Sequence, residues 1–300
     1  MNDRQPRSGP ARLVILAAAT GVVATACAAP SQPAAAPASS APAPSSTPFQ
    51  TPSMTSRPAS TPTVEAAAQP VRLPSLKGDT RNAIAFAPLD DPRDVTVRGK
   101  VPTANAWSTS KVLVVLAYIQ TVADGDPRNL DSSQRDLIKR ALTASDMDAL
   151  LAIRGAIPGG SGAPMTAILR SIGDNRTTAP DSGEGSMRWT LRNQVRFMAA
   201  LAAGDVVNKR TSRYVLNQMH PIPEHSWGLG RVGASNFKGG WLEPYTETRQ
   251  MGIVDGYAVA IITTAGRAVV QTDGDSAHVR AINKLARTLK KYLRADAATR

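Results

Sequence analysis

The sequence has a single cysteine and three histidines in 300 residues. One cysteine excludes an internal disulfide framework and any metal or iron–sulfur site built from several thiolates. His220, His225 and His278 lack the spacing of metal ligands, so we expect no metal and no cofactor. Zinc-finger spacings, RNP motifs and homeodomain-like elements are missing as well, so nucleic acid is not an expected partner.

Proline is concentrated in residues 27–70, which hold 10 of the 23 prolines and are otherwise almost entirely Ala, Ser and Thr. Such a composition buries too little apolar surface to order itself, and proline favours an extended polyproline II conformation. We predict a disordered tether, which at about 3.1 Å per residue would reach on the order of 100 Å. It could serve to reach a cell wall or only as a passive stalk. Residues 71–300 suffice for one domain with a full core.

A leader precedes this tether. It contains three arginines, followed by an apolar run over residues 13–26. The run is shorter than the roughly 20 residues that a transmembrane helix needs and is typical of a signal peptide. It ends in small residues directly before Cys27, and this resembles a bacterial lipobox. The resemblance implies a signal peptide over 1–26, lipidation of Cys27 and anchoring to the outer face of a bacterial cell membrane. The alternative is an ordinary signal peptide that leaves Cys27 as a free thiol.

Positive charge dominates the chain, with a formal net charge of +12. The first 70 residues hold four basic and two acidic side chains, so residues 71–300 carry +10. This charge is spread as single residues without a long basic run. A basic surface of this kind suits anionic polymers of a cell envelope and lipid head groups.

Apolar periodicity in residues 71–300 predicts both strands and helices. Strands are expected at 82–89, 95–99, 235–241, 249–254 and 257–264, and helices at 108–122, 132–143, 146–154, 164–172, 190–203 and 276–294. Strands first, then helices, then strands and a last helix indicate an α+β fold. Its antiparallel sheet would be formed by both ends of the domain.

Ser108 and Lys111 form a Ser-x-x-Lys pair at the start of a predicted helix. Residues three apart lie on one face of a helix, about one turn from each other. A desolvated lysine amine in that position can accept the serine proton and make the hydroxyl a nucleophile. Taken alone, the pair is equally consistent with a helix-capping serine and a solvated lysine.

Two further elements follow this pair in the chain. Ser145-Asp146-Met147 lies between two predicted helices, and Lys238-Gly239-Gly240 lies in a predicted strand. The order S-x-x-K, S-D-x, K-x-G resembles the signature of serine β-lactamases and penicillin-binding proteins. The resemblance covers roughly residues 75–294, and the runs WGLG and KGGW are similar to those of secreted serine hydrolase-like lipoproteins in that superfamily.

This resemblance implies a β-lactamase/DD-peptidase-like α+β fold with flanking N- and C-terminal helices and a reduced helical lobe. It implies that Ser108 is the acylated nucleophile and Lys111 its general base. Ser145 would relay a proton to the leaving group, and Lys238 would attract a substrate carboxylate.

The same resemblance implies a substrate-binding strand at Gly239, Gly240 and Trp241. The backbone N–H groups of Ser108 and Trp241 would form the oxyanion hole, whose donors are worth roughly 3–4 kcal/mol each in other enzymes. The glycine in the second position of K-G-G, Gly239, keeps the close backbone approach but lacks the hydroxyl that helps to hold a carboxylate.

The sequence also departs from the family pattern. Met147 replaces the amide of the S-D-N element, and only 34 residues separate Lys111 from Ser145, so a trimmed helical lobe is expected. The E-x-x-L-N motif that supplies the deacylating base is missing from residues 173–191. Glu184 is the only glutamate there, and its Gly/Ser-rich setting predicts an exposed loop without a catalytic role. We therefore expect a persistent acyl-enzyme and no efficient β-lactam hydrolysis.

Two functions stay open. The first is a serine hydrolase that acts outside the membrane on a peptide or ester, for example one derived from the cell wall. It is favoured by the retained Ser108 and Lys111. The second is a catalytically inactive lipoprotein of the same fold that binds a cell-wall ligand or a protein partner. It is favoured by Met147 and the missing E-x-x-L-N motif. The sequence does not indicate an oligomeric state.

Overall fold

The computed structural model describes residues 73–102, 105–243, 245–267 and 276–300. The predicted signal peptide, Cys27 and the predicted tether over 27–70 lie outside the described residues. Within the described ranges, no helix combines the length and apolar character needed to cross a bilayer.

A five-stranded antiparallel sheet forms the centre of the domain, in the strand order β2-β1-β5-β4-β3. The strands are β1 (Asn82–Pro88), β2 (Thr96–Gly99), β3 (Asn236–Trp241), β4 (Thr248–Val254) and β5 (Tyr257–Thr263). Because β1 from the start of the domain pairs with β5 from its end, the sheet is built from both ends as predicted.

Seven α-helices are assigned in the described residues: α1 (Lys111–Val122), α2 (Ser132–Thr143), α3 (Met147–Gly155), α4 (Gly162–Ser171), α5 (Leu191–Ala203), α6 (Lys209–Gln218) and α7 (Ala277–Ala297). The predicted α+β class is confirmed. Residues 73–81, which precede β1, contain no helix.

The two faces of the sheet carry side chains of different size, since successive residues of a strand point to opposite faces. The face toward α7 is formed by large residues, among them Ile84, Phe86, Val259 and Ile261. The face that shares a core with α5 and α1 is formed by small ones: Ala85, Ala87, Ala258 and Ala260. The small side chains let α5 lie close to the sheet, while α7 covers the opposite face.

Helix α1 runs through the middle of the larger core. Every residue from its first, Lys111, to Ile119 is buried. A helix that is buried on all sides lies inside the domain instead of on its surface. The only charged side chain of this helix is therefore held in the interior, at the end where α1 begins.

Two elements differ from the sequence expectation. Helix α6 was not predicted, because its sequence KRTSRYVLNQ is mostly polar and it buries only Thr211, Ser212 and Val215. The helix expected from residue 108 begins instead with a 3-10 turn, Trp107–Ser110, and α1 starts at Lys111. Trp107, the first residue of this turn, has a φ of +46°, outside the right-handed helical region.

Candidate active site

Ser108 lies in the 3-10 turn that leads into α1, at the edge of a cavity of about 480 Å³. The neighbouring hydroxyls are occupied: Thr109 accepts a hydrogen bond from Gln194 at 2.8 Å, and Ser110 donates to the carbonyl of Trp107 at 2.6 Å. The Ser108 hydroxyl has no hydrogen-bond partner among the described residues. Of the three consecutive hydroxyl groups, Ser108 is thus the one available to a ligand.

Lys111 lines the same cavity as Ser108 and is only 1% exposed. Its Nζ donates to the backbone carbonyls of Ser145 at 2.6 Å and Asp146 at 3.1 Å. Burial lowers the pKa of Lys111 to about 8, against the opposing attraction of the Glu184 and Asp146 carboxylates. A substantial fraction of the amine is therefore neutral near physiological pH, as a general base requires.

Ser145 and Lys238 form the second predicted pair of the site. Lys238 Nζ, buried within β3, donates to Ser145 Oγ at 2.8 Å and to the Gly239 carbonyl at 3.1 Å. Burial is the main cause that lowers the pKa of Lys238, and the positive charge of Lys111 lowers it further. The predicted neighbourhood of Ser145 and Lys238 is thus present, whereas the role that the resemblance implies for Lys238, attraction of a substrate carboxylate, stays a prediction.

The turn that carries Ser145 is held in a strained conformation. Ser145 has a φ of +59°, in the left-handed region that non-glycine residues rarely occupy. Asp146 holds the following helix, because its side chain accepts from the Ala149 N–H at 3.0 Å and pairs with Arg140 at 2.6 Å. Met147 is 53% exposed at the cavity wall and offers no polar group.

Gly240 brings β3 against the backbone of Ser108. A side chain added at Gly240 would lie 2.9 Å from the backbone N of Ser108 and 2.9 Å from Cβ of Trp107. The strand therefore lies directly against the backbone of Ser108. Trp241, the next residue, lines the cavity, and its ring packs 5.0 Å from the ring of Trp227.

The expected exposure of Glu184 is wrong, whereas its expected lack of a catalytic role is not tested by the structure. The side chain is buried, lines the cavity together with Ser108, and accepts a hydrogen bond from Arg154 Nη1 at 2.9 Å. The guanidinium group compensates the buried carboxylate, so burial is tolerated. Arg154 lies on α3, 30 positions earlier in the chain, and no local sequence signal connects the two residues.

The aromatic residues near the site have mixed roles. Trp107 is both buried and part of the cavity wall, and its ring lies 5.2 Å from that of Tyr245, which sequence reasoning did not select. Trp189 belongs to the core. His225 lies in a 3-10 turn and packs on Trp241. Burial is the main cause that lowers the pKa of His225, and the charge of Lys238 lowers it further.

In the part of the chain that the structure describes, no group of three or more His, Cys, Asp or Glu could hold a metal ion.

Comparison with solved structures finds β-lactamases and a penicillin-binding protein. The TLA-3 extended-spectrum β-lactamase matches with a TM-score of 0.57 and 14% identity, over 73% of this chain and 95% of that one. A chromosome-encoded β-lactamase of Vibrio parahaemolyticus matches with a TM-score of 0.53 and 15% identity, over 71% and 93%. PBP-A matches with a TM-score of 0.54 and 16% identity, over 76% and 92%.

The domain has the serine β-lactamase and DD-peptidase fold. This confirms the fold that the three motif elements predicted. At these identities the likeness extends to the fold alone, and it assigns no activity. No protein-family model and no curated protein matches the chain.

Substitution of Gly240 tests the close approach of β3 to Ser108. Because the new methyl group would meet backbone atoms, Gly240→Ala should lower the free energy of unfolding by about 1–3 kcal/mol. Gly155→Ala is the matched control, since an added side chain at this helical glycine meets nothing within 4 Å. Urea denaturation followed by circular dichroism measures both variants. Unchanged stability of Gly240→Ala would contradict the contact.

Proposed function

We propose that the protein is a serine hydrolase that works through an acyl-enzyme. The observation that carries the proposal is the placement of Ser108 and the buried Lys111 in one cavity, where burial lowers the pKa of the lysine to about 8. A free hydroxyl next to an amine that is partly neutral is the arrangement that activates a serine nucleophile. The close approach of Gly240 to Ser108 supports it further.

In the acylation step, Ser108 Oγ attacks the carbonyl carbon of an ester or amide and Lys111 accepts the hydroxyl proton. For this, the Lys111 amine turns toward Ser108 from the carbonyls that it contacts in the free protein, where catalytic hydrogen bonds are often not yet formed. The N–H groups of Ser108 and Trp241 stabilise the oxyanion. When the carbonyl re-forms, the bond to the leaving group breaks and that group takes a proton from the Ser145 hydroxyl. Lys238 then gives Ser145 a new proton.

In the deacylation step, water attacks the acyl carbonyl, the bond between the acyl carbon and Ser108 Oγ breaks, and Lys111 returns its proton to that oxygen. Glu184 is our candidate for the base that accepts the proton of this water, because its carboxylate lines the cavity with Ser108. Arg154 compensates the charge of Glu184 and orients its carboxylate. This assignment replaces the sequence expectation that no base is present.

The cavity favours an apolar acyl group. Its exposed wall is formed mainly by apolar or aromatic side chains, including Trp107, Met147, Trp241, Leu242 and Tyr245. We propose a peptide or ester substrate, such as one derived from the cell wall. The leader and Cys27 support export and lipid anchoring on the outer face of the membrane. The competing function, ligand binding without turnover, is supported by Met147 and by the bonds that Lys111 forms to carbonyls instead of Ser108.

Labelling of Ser108 tests the proposed hydrolase. The full-length protein is incubated with benzylpenicillin or, separately, with a fluorophosphonate, and its intact mass is measured. The fluorophosphonate should add one phosphonyl group as fluoride leaves, and both Ser108→Ala and Lys111→Ala should abolish the adduct.

Ser186→Ala is the matched control, because Ser186 also lines the cavity but donates its hydroxyl to the Gly183 carbonyl. This variant should label like the wild type. Circular dichroism shows that each variant is folded. No adduct from either reagent on the folded wild-type protein would contradict the hydrolase and leave the binding protein.

The role of Glu184 is tested by the lifetime of the acyl-enzyme. After acylation by p-nitrophenyl butyrate, we expect Glu184→Gln to keep its acyl group at least about tenfold longer than the wild type, because a general base contributes roughly 10²–10⁴-fold. Rapid quench followed by intact mass measures the lifetime.

Arg154→Met is the control for this experiment, since it breaks the same ion pair and retains the carboxylate. A long lifetime in Glu184→Gln alone supports the base. Equal lifetimes in Glu184→Gln and the wild type would show that Glu184 serves only to pair with Arg154.

A further inference from the structure

A second cavity, of about 740 Å³, lies beside β2 and the start of α5. We call it the cationic cleft, because the described residues of its wall include six basic side chains and no acidic one: Lys100, Arg176, Arg188, Arg192, Arg196 and Arg249. No residue lines both this cleft and the cavity of Ser108. The cleft is therefore a separate feature of the domain.

The charges of the cleft are not compensated within the described residues. Lys100 and the four arginines at 176, 188, 192 and 196 form no ion pair there, and all five are exposed. In the other large basic cavity, by contrast, Asp126 pairs with Arg128 at 2.7 Å and with Arg210 at 2.8 Å. Like charges gathered in one cleft raise its potential and favour a bound anion.

Helix α5 adds to this positive field. Its N-cap Thr190 and its first residues, Leu191 and Arg192, line the cleft. The start of a helix carries a partial positive charge that acidic residues normally offset, and here Arg192 occupies the first turn. Arg192 and Arg196 are one turn apart on the same helix face. Both the helix end and the side chains thus favour an anion.

Arg249 contributes a buried guanidinium group to the same cleft. Its Nη2 donates to the Trp189 carbonyl and to Gln194 Oε1, both at 2.9 Å, while its Nε has no hydrogen-bond partner among the described residues. The nearest carboxylate, that of Glu247, is 3.9 Å away. Burial lowers the pKa of Arg249 to about 10, so the group stays charged at neutral pH. A buried donor without an acceptor costs free energy, and the guanidinium group adds a fixed positive charge to the wall of the cleft.

We propose that the cationic cleft binds a phosphate-bearing anion, either a phosphate ester or a diphosphate group. Phosphate oxygens match the forked N–H donors of arginine and the N–H groups at a helix start. Several guanidinium groups around one cleft suit more than a single negative charge. The phosphate can belong to a lipid head group or to a free phosphorylated molecule, since both present the same chemistry to these side chains.

Calorimetric titration of the full-length protein tests this site, with inorganic pyrophosphate as one probe and dihexanoyl phosphatidylglycerol below its micellar concentration as the other. Arg188→Gln/Arg196→Gln should raise the pyrophosphate Kd at least tenfold. Arg280→Gln/Arg287→Gln removes the same charge from the exposed side of α7 and should change Kd less than twofold. Neither pair of substitutions touches Ser108 or its cavity, so the outcome is independent of the proposed hydrolase.

The two probes distinguish the sources of the phosphate. Tighter binding of pyrophosphate assigns the cleft to a free phosphorylated molecule, and tighter binding of the short-chain lipid assigns it to a head group. Absence of binding of both probes, equal weakening in both double variants, or equally tight binding of citrate in the same titration would overturn the proposal.

Discussion

The burial of the Lys111 amine is the constraint on which the rest of the site depends. This side chain begins the most deeply buried helix of the domain, and an uncompensated charge in such a place is costly. The structure meets the cost in two ways: burial lowers the pKa of Lys111 to about 8, and two backbone carbonyls accept its hydrogen bonds. Those carbonyls belong to the Ser145–Asp146 turn, so the helix and the turn are held together by the group that is proposed to act as the base.

Two of the five described non-glycine residues with positive φ, Trp107 and Ser145, lie near the same amine. Trp107 directly precedes Ser108 in the chain, and the backbone carbonyl of Ser145 accepts a hydrogen bond from Lys111. Such conformations cost of order 1–3 kcal/mol each and persist only where the surroundings enforce them. Here the surroundings include the cap formed by Asp146 and the contact between Gly240 and Ser108. Backbone strain at these two positions therefore depends on contacts that also position Ser108 and Lys111.

Local patterns were sufficient to predict most of the fold. Apolar periodicity predicted two central strands at 82–89 and 257–264 and a helix at 108–122, and the structure has β1, β5 and α1 there. Helix Lys209–Gln218 was not predicted, because its few apolar residues form no continuous stripe along one helix face. Its position is set by Asn208, which caps it, and by packing against other helices.

Features that depend on distant residues could not be predicted. Glu184 is buried because Arg154 reaches it from another helix, and a Gly/Ser-rich setting contains no sign of this. The basic residues of the cationic cleft are dispersed between positions 100 and 249, and only the fold gathers them in one place. Lys238 was recognised from its motif, but its burial, and with it a pKa lowered from the usual range, is a property of the folded sheet.

The central claim is that the neutral amine of Lys111 activates Ser108. It is tested most directly by the pH dependence of the rate at which a fluorophosphonate phosphonylates Ser108, measured between pH 6 and 10 with the rate of Lys111→Ala subtracted. Only the neutral amine accepts a proton, so the rate should rise about tenfold per pH unit below the pKa and level off above about 8, where burial places the pKa of Lys111. A rate that is independent of pH over this range, or that falls as the pH rises, would contradict the account.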